Sequence, residues 1–299
     1  MKDDVVLITG AGGFLGSHLS RRMEGKNIFL TSLRSNQDKN IHVLDLTDYE
    51  QVKEMILKLR PTVVYHLGAV VNLSRDYETA RETLDTNIQS TLNILEALRR
   101  FPPRKFIFAS TEEIYGESEV PYKEMMIPKP PSPYAVSKVA CEQLCHMYAK
   151  ELNFSSVIFR IGTMYGPEQL TERFIPSIIS RAIKGEDIRL NSGMKMRDYI
   201  FIDDVIDAFL LTRDCSLKEK DIILNLGGGI SIRLIDLVHD IVQRVHSTSK
   251  IVLGVIPDRL SESDIWLMDN TKVTTILGWR PRITIEEGIQ RTCEYYNGV

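Results

Sequence analysis

A glycine-rich turn close to the start of the chain restricts the possible folds more than any other feature. Val5-Val6-Leu7-Ile8-Thr9 is a short β-branched apolar run, typical of a strand buried on both faces. It leads directly into Gly10-Ala11-Gly12-Gly13-Phe14-Leu15-Gly16, and a helical pattern follows. Glycines at this spacing allow a tight turn, close backbone approach to a pyrophosphate and close packing of helix on strand. The segment therefore predicts a dinucleotide-binding turn.

Strand-like and helix-like segments alternate after this turn. Strands are predicted over 28–31, 41–44, 62–67, 105–110 and 157–160, and helices over 49–59, 78–100, 174–183 and 232–245. Such alternation predicts an α/β fold of the Rossmann type, with a doubly wound parallel sheet. The pattern becomes irregular after residue 165. We therefore expect an NAD(P)-binding domain over 1–165, with returning segments from the second half. Residues 166–299 are expected to form mainly a smaller, interleaved substrate-binding lobe.

Composition excludes several classes of function. A net charge of −3 over 299 residues gives no basic surface for nucleic acid. No apolar run approaches the 18 or so residues of a membrane span, and Met1-Lys2-Asp3-Asp4 is too acidic for a signal peptide. The four cysteines show neither CxxC nor histidine spacing, so no metal site is predicted. We expect a cytoplasmic protein without membrane or nucleic-acid partners.

Tyr134 and Lys138 lie in Ser132-Pro133-Tyr134-Ala135-Val136-Ser137-Lys138, and the residues that follow are typical of a helix. A spacing of four places both side chains on one helix face. An ammonium beside a phenol favours the phenolate, so we expect the tyrosine to exchange a proton near neutral pH. Lowering a phenol pKa from about 10 to about 7 takes about 4 kcal/mol, which the lysine and an oxidised nicotinamide would supply together. The alternative is a solvated helix face.

Taken together, these segments resemble the extended short-chain dehydrogenase/reductase family, in its NAD(P)-dependent nucleotide-sugar epimerase/dehydratase branch. The resemblance covers nearly the whole chain. It is carried by Thr9–Gly16, Asp45-Leu46-Thr47-Asp48, Tyr65-His66-Leu67-Gly68-Ala69, Asn87, Ala109–Gly116, Tyr134, Lys138, Arg160, Tyr165-Gly166-Pro167, Arg197–Val205, Asn225–Gly229 and Leu277–Pro281.

The resemblance implies a reaction centre. Tyr134 is expected to act as the base, Thr111 to orient the sugar oxygen, and Lys138 to steady the base and the cofactor ribose. The family often has serine where Thr111 stands, and a turn-capping threonine is the alternative. In 4,6-dehydratases an acidic residue and a glutamate follow this threonine, which implies Glu113 as the C5 base and Glu112 as a candidate acid. The alternative is two solvated loop glutamates.

Cofactor choice depends on the end of the second predicted strand. Ser32 stands where the family has an acidic residue for the ribose 2′-hydroxyl, and Arg34 follows. A hydroxyl and a guanidinium suit a 2′-phosphate, so NADP is favoured over NAD. The resemblance implies further cofactor contacts at Gly10, Gly12, Gly13, Phe14, Leu15, Gly16, Asp45, Leu46, Leu67, Gly68, Ala69 and Asn87.

The substrate is predicted only as a class, a nucleotide-diphosphate sugar. The resemblance implies that Arg197 and Arg259 clamp the diphosphate, a bidentate form of anion recognition, although a surface ion pair is the alternative for each. Thr163 stands where the family has a substrate-binding asparagine, so that contact must differ. The sequence leaves the nucleotide open among UDP, dTDP, GDP and CDP.

Three functions remain open. The first is an enzyme that oxidises the sugar C4 hydroxyl and regenerates its own cofactor, as a dehydratase or an epimerase; Glu113 favours it. The second is an NADPH-dependent 4-ketoreductase of a 4-keto-6-deoxy sugar nucleotide. The third is a non-enzymatic NAD(P)-binding protein, which an intact Thr111, Tyr134 and Lys138 disfavour. A homodimer is implied by the resemblance, and an apolar stripe on the long predicted helix is compatible with it. The stripe comprises Leu84, Ile88, Leu92, Leu95 and Leu98.

Overall fold

The computed structural model of the chain describes residues 4–23, 27–34, 40–217, 219–257 and 262–298. Its first half alternates strands and helices as predicted. The elements are β1 (Val6–Thr9), α1 (Phe14–Arg22), β2 (Ile28–Ser32), β3 (Ile41–Val43), α2 (Tyr49–Leu59), β4 (Val63–His66), α3 (Tyr77–Ala97), β5 (Lys105–Thr111), α4 (Pro133–Leu152) and β6 (Ser155–Ile161), with 3-10 turns at Leu98–Arg100 and Glu112–Tyr115.

The second half builds a smaller lobe and returns one strand to the main sheet. Its elements are β7 (Thr163–Tyr165), α5 (Phe174–Lys184), β8 (Ile188–Arg189), β9 (Met196–Phe201), α6 (Ile202–Asp214), β10 (Asp221–Leu226), β11 (Ser231–Arg233), α7 (Leu234–Arg244), β12 (Ile251–Val252), α8 (Thr271–Leu277) and α9 (Ile285–Asn297). In the lobe, β9 lies between β11 and β7, and β8 pairs with β12. The predicted domain boundary at residue 165 stays a prediction.

A parallel sheet organises the molecule and confirms the predicted fold class. Within the described residues it has seven strands in the order β10-β6-β5-β4-β1-β2-β3. The chain starts at β1, moves outward through β2 and β3, and then crosses to β4 on the other side. A crevice forms where the strand order reverses in this way, at the carboxyl ends of β1 and β4. The residues of β1 are wholly buried, as its continuous apolar run predicts.

After residue 165, where the sequence pattern is irregular, the structure contains several strands and helices that were not predicted. Short strands such as β8 and β12 pair only with each other, so they carry no periodicity that a sequence can display. The helix predicted over 232–245 begins instead at Leu234, because Ser231–Arg233 pairs with β9 as an antiparallel strand. Among the described residues, none of the helices is long and apolar enough to cross a bilayer.

Helix α4 has well-defined ends that set its register. The Ser132 hydroxyl accepts a hydrogen bond from the Ala135 backbone N–H at 3.1 Å, and Pro133 occupies the first turn, where its missing N–H costs nothing. Asn153 ends the helix in the left-handed conformation. Because this cap fixes where the helix begins, it also fixes the position of Lys138, whose side chain reaches the Ala109 carbonyl of β5.

Candidate active site

A cavity of about 1470 Å³ opens at the carboxyl ends of the central strands. Many of the predicted site residues line it: Gly10, Gly12, Gly13, Phe14, Leu15, Gly16, Leu67, Ala69, Thr111, Glu112, Glu113, Tyr134, Lys138, Thr163 and Arg197. Ser32, Arg34, Asp45, Leu46, Gly68 and Asn87 are not among its lining residues. Arg259 lies outside the described residues. The structure thus brings the reaction-centre candidates and the glycine turn into one site.

Two glycines of the turn, Gly10 and Gly16, leave no room for a side chain. A Cβ atom at Gly10, where φ is +70°, would lie 2.6 Å from the Gly68 backbone nitrogen. One at Gly16 would lie 2.2 Å from the Gly10 carbonyl oxygen. Gly13 precedes α1 without a side-chain cap, which leaves backbone N–H groups of the first helical turn for an anion. These features fit the diphosphate of a dinucleotide.

Buried polar side chains next to the glycine turn form a hydrogen-bond network. The Thr9 hydroxyl lies 2.8 Å from Nδ1 of His66, whose Nε2 lies 3.0 Å from the Thr91 hydroxyl. The Thr91 hydroxyl in turn donates to the Asn87 carbonyl oxygen at 2.9 Å. Burial lowers the pKa of His66 to about 3, so the imidazole is neutral. The network ties the ends of β1 and β4 to helix α3.

Asn87 is part of this network, and its side chain also forms hydrogen bonds with the loop that follows β4. Its Oδ1 accepts a hydrogen bond from the Val70 N–H at 2.7 Å, and its Nδ2 donates to the Val70 carbonyl at 3.0 Å and to the Ser137 hydroxyl at 2.9 Å. Asp45, also predicted as a cofactor contact, accepts hydrogen bonds from the backbone N–H and hydroxyl of Thr47. The contacts of Asn87 in this structure hold a loop of the cavity wall in place.

Tyr134 and Lys138 share one buried face of α4, rather than a solvated one. Lys138 donates a 2.7 Å hydrogen bond from Nζ to the Ala109 carbonyl, and Nζ lies 5.8 Å from the Tyr134 ring centroid. Burial lowers the pKa of Lys138 to about 8. Burial also raises the pKa of Tyr134 above its ordinary value, and the negative charge of Glu113 adds to this effect. In the protein alone, desolvation therefore outweighs the positive charge of Arg173, and a phenol that titrates near neutral pH stays a prediction for the protein with its oxidised cofactor bound.

Thr111 ends β5, caps the turn that follows it and also lines the cavity. Its hydroxyl accepts a hydrogen bond from the Glu113 backbone N–H at 3.2 Å and so caps the 3-10 turn. The same side chain lines the cavity, and hydrogen bonding from it lowers the pKa of Tyr134, against the larger effect of burial. Capping the turn and facing the tyrosine are compatible for one hydroxyl.

The two glutamates are buried, so the solvated-loop alternative is wrong. Glu112 is 2% exposed and Glu113 8%. Oε1 of Glu112 accepts a 2.7 Å hydrogen bond from the Thr163 hydroxyl, whereas Oε2 is shielded from solvent and has no hydrogen-bond partner among the described residues. Burial raises the pKa of Glu112 well above its usual range, and the nearby charge of Asp198 reinforces this. Both effects favour the protonated form of Glu112.

Arg197 faces the opposite part of the cavity with its charge already matched. Its Nη2 lies 2.8 Å from Oε1 of Glu262, its guanidinium carbon lies 4.4 Å from the Trp266 ring centroid, and its Nη1 donates to the Met196 carbonyl at 2.7 Å. Lys195 also contacts Glu262, at 3.1 Å. An incoming diphosphate would have to compete with this carboxylate for the arginine.

The model of the NAD dependent epimerase/dehydratase family matches residues 6–227, from β1 to the end of β10. The chain belongs to this family. The matched region contains the glycine turn, both glutamates and the Tyr134–Lys138 pair. It ends before Glu262 and Trp266.

Relatives of this family member share its full length. The UDP-glucose 4-epimerase of Mycolicibacterium smegmatis is 29% identical over 309 residues, and the dTDP-glucose 4,6-dehydratase of Haemophilus influenzae is 26% identical over 331 residues; each comparison covers 97% of both chains. The crystal structure of the Thermus thermophilus UDP-glucose 4-epimerase in complex with NAD has a TM-score of 0.89 at 27% identity, and covers 98% of this chain and 99% of that chain. A 4-epimerase and a 4,6-dehydratase are thus about equally similar to this chain, so sequence identity alone does not decide which reaction it catalyses.

Sequence reasoning missed two sets of charged residues in this epimerase/dehydratase-family protein. Glu262 and Lys195 are far apart along the chain, and no local pattern connects them. Glu142, on the same face of α4 as Tyr134 and Lys138, forms a buried ion pair with Arg160. The sequence did contain a signal for Glu142, because it follows Lys138 by four residues, just as Lys138 follows Tyr134 by four.

Proposed function

We propose that this protein oxidises the C4 hydroxyl of a nucleotide-linked hexose and regenerates its cofactor within the same catalytic cycle, with 4,6-dehydration as the favoured outcome and epimerisation as the other. The observation that carries the proposal is the burial of Glu112 and Glu113 in the cavity wall, where the charge of Glu113 acts on Tyr134. An epimerase needs no second acid and base beside its tyrosine, whereas removal of water needs both.

The chain's own residues divide the work as follows. Tyr134 takes the C4 hydroxyl proton at its phenol oxygen, Thr111 orients the sugar oxygen, and Lys138 is held by the Ala109 carbonyl so that its ammonium faces the phenol. A bound dinucleotide, held at the glycine turn, would supply the acceptor for the C4 hydride and the donor that returns a hydride to the sugar. Because burial raises the pKa of Tyr134, its phenolate takes up a proton readily, and formation of that phenolate requires positive charge nearby.

The glutamates would carry the second half of the reaction. Glu113 removes the C5 proton, which becomes acidic once C4 is a ketone. Glu112 is the candidate acid: it gives its proton to the C6 hydroxyl, which leaves as water as the C5 proton is removed, and the raised pKa of Glu112 favours the protonated form that this role requires. Its hydrogen bond from Thr163 holds the carboxyl group against β7. We propose Thr163 as a residue that positions Glu112, in place of a direct contact with the sugar.

A panel of UDP-, dTDP-, GDP- and CDP-hexoses with oxidised cofactor and no added reductant tests this proposal. Loss of the mass of water identifies a dehydratase, and an unchanged mass with altered retention identifies an epimerase. In Glu113→Gln we expect cofactor reduction in a single turnover to persist while water loss falls about 100-fold or more. Glu117→Gln, on the exposed side of the same segment, is the matched control and should act like wild type. Undiminished water loss in Glu113→Gln would refute the assignment.

An NADPH-dependent 4-ketoreductase is the second candidate. Ser32 and Arg34 at the end of β2 favour it, because a reductase exchanges its cofactor with a cellular pool of NADPH. On the same ground we propose NADP over NAD as the cofactor. Turnover of a 4-keto-6-deoxy sugar nucleotide with equal consumption of NADPH, and no turnover of the hexose panel, would support the reductase instead.

We also propose a homodimer formed through α3 and α4. Three apolar side chains on these helices are exposed: Leu92, Val136 and Met147. Leu95 and Leu98, which the sequence placed on the same apolar stripe, are buried in the protein's own core. Light scattering tests the proposal. A mass near 34.1 kDa would make the protein a monomer.

A further inference from the structure

A buried ion pair lies directly behind the candidate active site. Glu142 of α4 is fully buried and Arg160 of β6 is 3% exposed. Nε and Nη2 of Arg160 donate to the two carboxylate oxygens of Glu142, at 3.1 and 2.7 Å. A bidentate geometry of this kind is the strong form of the arginine–carboxylate interaction. Buried pairs need such geometry because both charges have left water.

Further hydrogen bonds tie the pair to the site. Oε1 of Glu142 also accepts a 2.5 Å hydrogen bond from the hydroxyl of Ser110, the residue before Thr111. Nη1 of Arg160 donates to the Tyr115 hydroxyl at 3.1 Å and to the Glu124 carbonyl at 3.0 Å. The pair therefore fastens α4 to the end of β5 and to the turn that follows it.

Glu142 also occupies a special place on its own helix. Tyr134, Lys138 and Glu142 follow one another at intervals of four residues, so they share one face of α4, and Glu142 is the next side chain behind Lys138. The charge of Glu142 raises the pKa of Lys138, against the larger lowering effect of burial. The carboxylate that acts on Lys138 is thus the same one that pairs with the buried guanidinium of Arg160.

We propose that Glu142 is a positioning residue for the reaction centre: its carboxylate, paired with Arg160, locks α4 against β5 and shields the Lys138 ammonium from the buried guanidinium. The proposal rests on the proposed role of Lys138. It assigns to Glu142 an effect on the charge of the lysine in addition to an effect on stability. No contact between Glu142 and a substrate is required.

Removing the negative charge of Glu142 should leave the buried guanidinium of Arg160 without its counter-charge, and this should affect Lys138. In Glu142→Gln the guanidinium of Arg160 keeps its charge, so the protonated form of the lysine is disfavoured and its pKa falls. Other titratable groups that act on Lys138 or lie near it stay in place: Tyr134, Cys141 and Cys145 of α4, His66 of β4 and Glu113 of the 3-10 turn. In the double variant Glu142→Gln/Arg160→Gln both charges are absent, and the lysine pKa should recover.

The test is a direct titration of Lys138 by NMR, using protein with carbon-13-labelled lysine and Lys138→Met for assignment. We expect the pKa to fall by about one unit in Glu142→Gln and to return to within about 0.3 units of wild type in the double variant. Ser110→Ala loses a hydrogen bond to Glu142 but no charge, so it is the matched control and should leave the pKa unchanged. Should Glu142→Gln fail to fold, Glu142→Asp carries the test, with an expected fall of a few tenths of a unit as the shorter carboxylate draws back.

The titration separates this proposal from the proposed function, because it needs no substrate. An unchanged Lys138 pKa in folded Glu142→Gln, or in Glu142→Asp where that variant replaces it, would overturn the charge-shielding role, whether or not the enzyme is active. An equal fall in the double variant would also overturn it, since the unmatched guanidinium would then not be the cause. The expected pattern in a protein that turns over no nucleotide sugar would retain the proposal for Glu142 and refute the proposed reaction.

Discussion

The two ends of the cavity are built in different ways. The sheet end, which we define as Thr111, Tyr134 and Lys138, stands on one strand terminus and one capped helix. The lobe end, defined as Lys195, Arg197, Glu262 and Trp266, joins β9 to a segment much later in the chain. At the sheet end, fixed backbone geometry determines which side chains meet. At the lobe end, the charged side chains already pair with one another, so an anion bound there would have to displace a carboxylate.

The largest expected effect belongs to the sheet end. Tyr134→Phe removes the phenol oxygen but keeps the buried ring, so kcat should fall by roughly 1000-fold with little change in KM or in the melting temperature. Steady-state kinetics and thermal unfolding measure both. Tyr148→Phe, on the same helix, loses a 2.6 Å hydrogen bond to Glu96 away from the cavity and serves as the control. A reduction in kcat of less than tenfold in Tyr134→Phe would remove the tyrosine from the chemistry.

The same contrast explains what the sequence could predict. Tyr134 and Lys138 are four residues apart on a helix, and the glycine turn is continuous in sequence, so local rules were sufficient for both. Arg197 was also found, but its pairing with Glu262 was not, because such a contact depends on the folding of the lobe. The burial that raises the pKa of Tyr134 in the protein alone was not predicted, for a related reason. Spacing reveals the neighbouring lysine, whereas desolvation depends on everything that packs around the phenol.

A second prediction tests how firmly the sheet end is supported. The pKa of His66 is about 3 in the folded protein and about 6.5 when unfolded, so the unfolded chain takes up the proton first as the pH falls. This stability is fully present above about pH 6.5 and is lost progressively toward pH 3. Between pH 7 and pH 5 we expect a loss of about 2 kcal/mol from this group in urea unfolding.

His66→Gln should abolish that part of the pH dependence, although it weakens the bonds to Thr9 and Thr91 and lowers stability at pH 7. His42→Gln, at an exposed position on β3, is the control and should keep the wild-type slope. If His66→Gln loses stability between pH 7 and pH 5 as steeply as wild type, the buried imidazole is not the titrating group.

At the lobe end the expected changes are in KM. They are smaller, and they have opposite signs for Arg197 and Glu262. Arg197→Met should raise the KM for the nucleotide sugar roughly tenfold, because a charge-assisted contact to the diphosphate is lost. Glu262→Gln should lower KM several-fold, because the arginine no longer has a competing carboxylate. Neither change should alter kcat by more than about threefold. A rise in KM in both variants would mean that the Arg197–Glu262 pair stabilises the lobe and does not bind the diphosphate.

The smallest expected effect concerns cofactor choice, at a position where local sequence rules point to a contact outside the cavity lining. Ser32→Asp places a carboxylate at the end of β2, where it would accept hydrogen bonds from a ribose 2′-hydroxyl and repel a 2′-phosphate. The ratio of kcat/KM for NADP to that for NAD should fall about tenfold. Arg34→Gln should weaken NADP alone, by a smaller factor, since only the phosphate uses the guanidinium. If both variants leave this ratio unchanged, the residues at the end of β2 do not select the cofactor in this chain. Local sequence patterns would then predict the reaction centre but not the choice of cofactor.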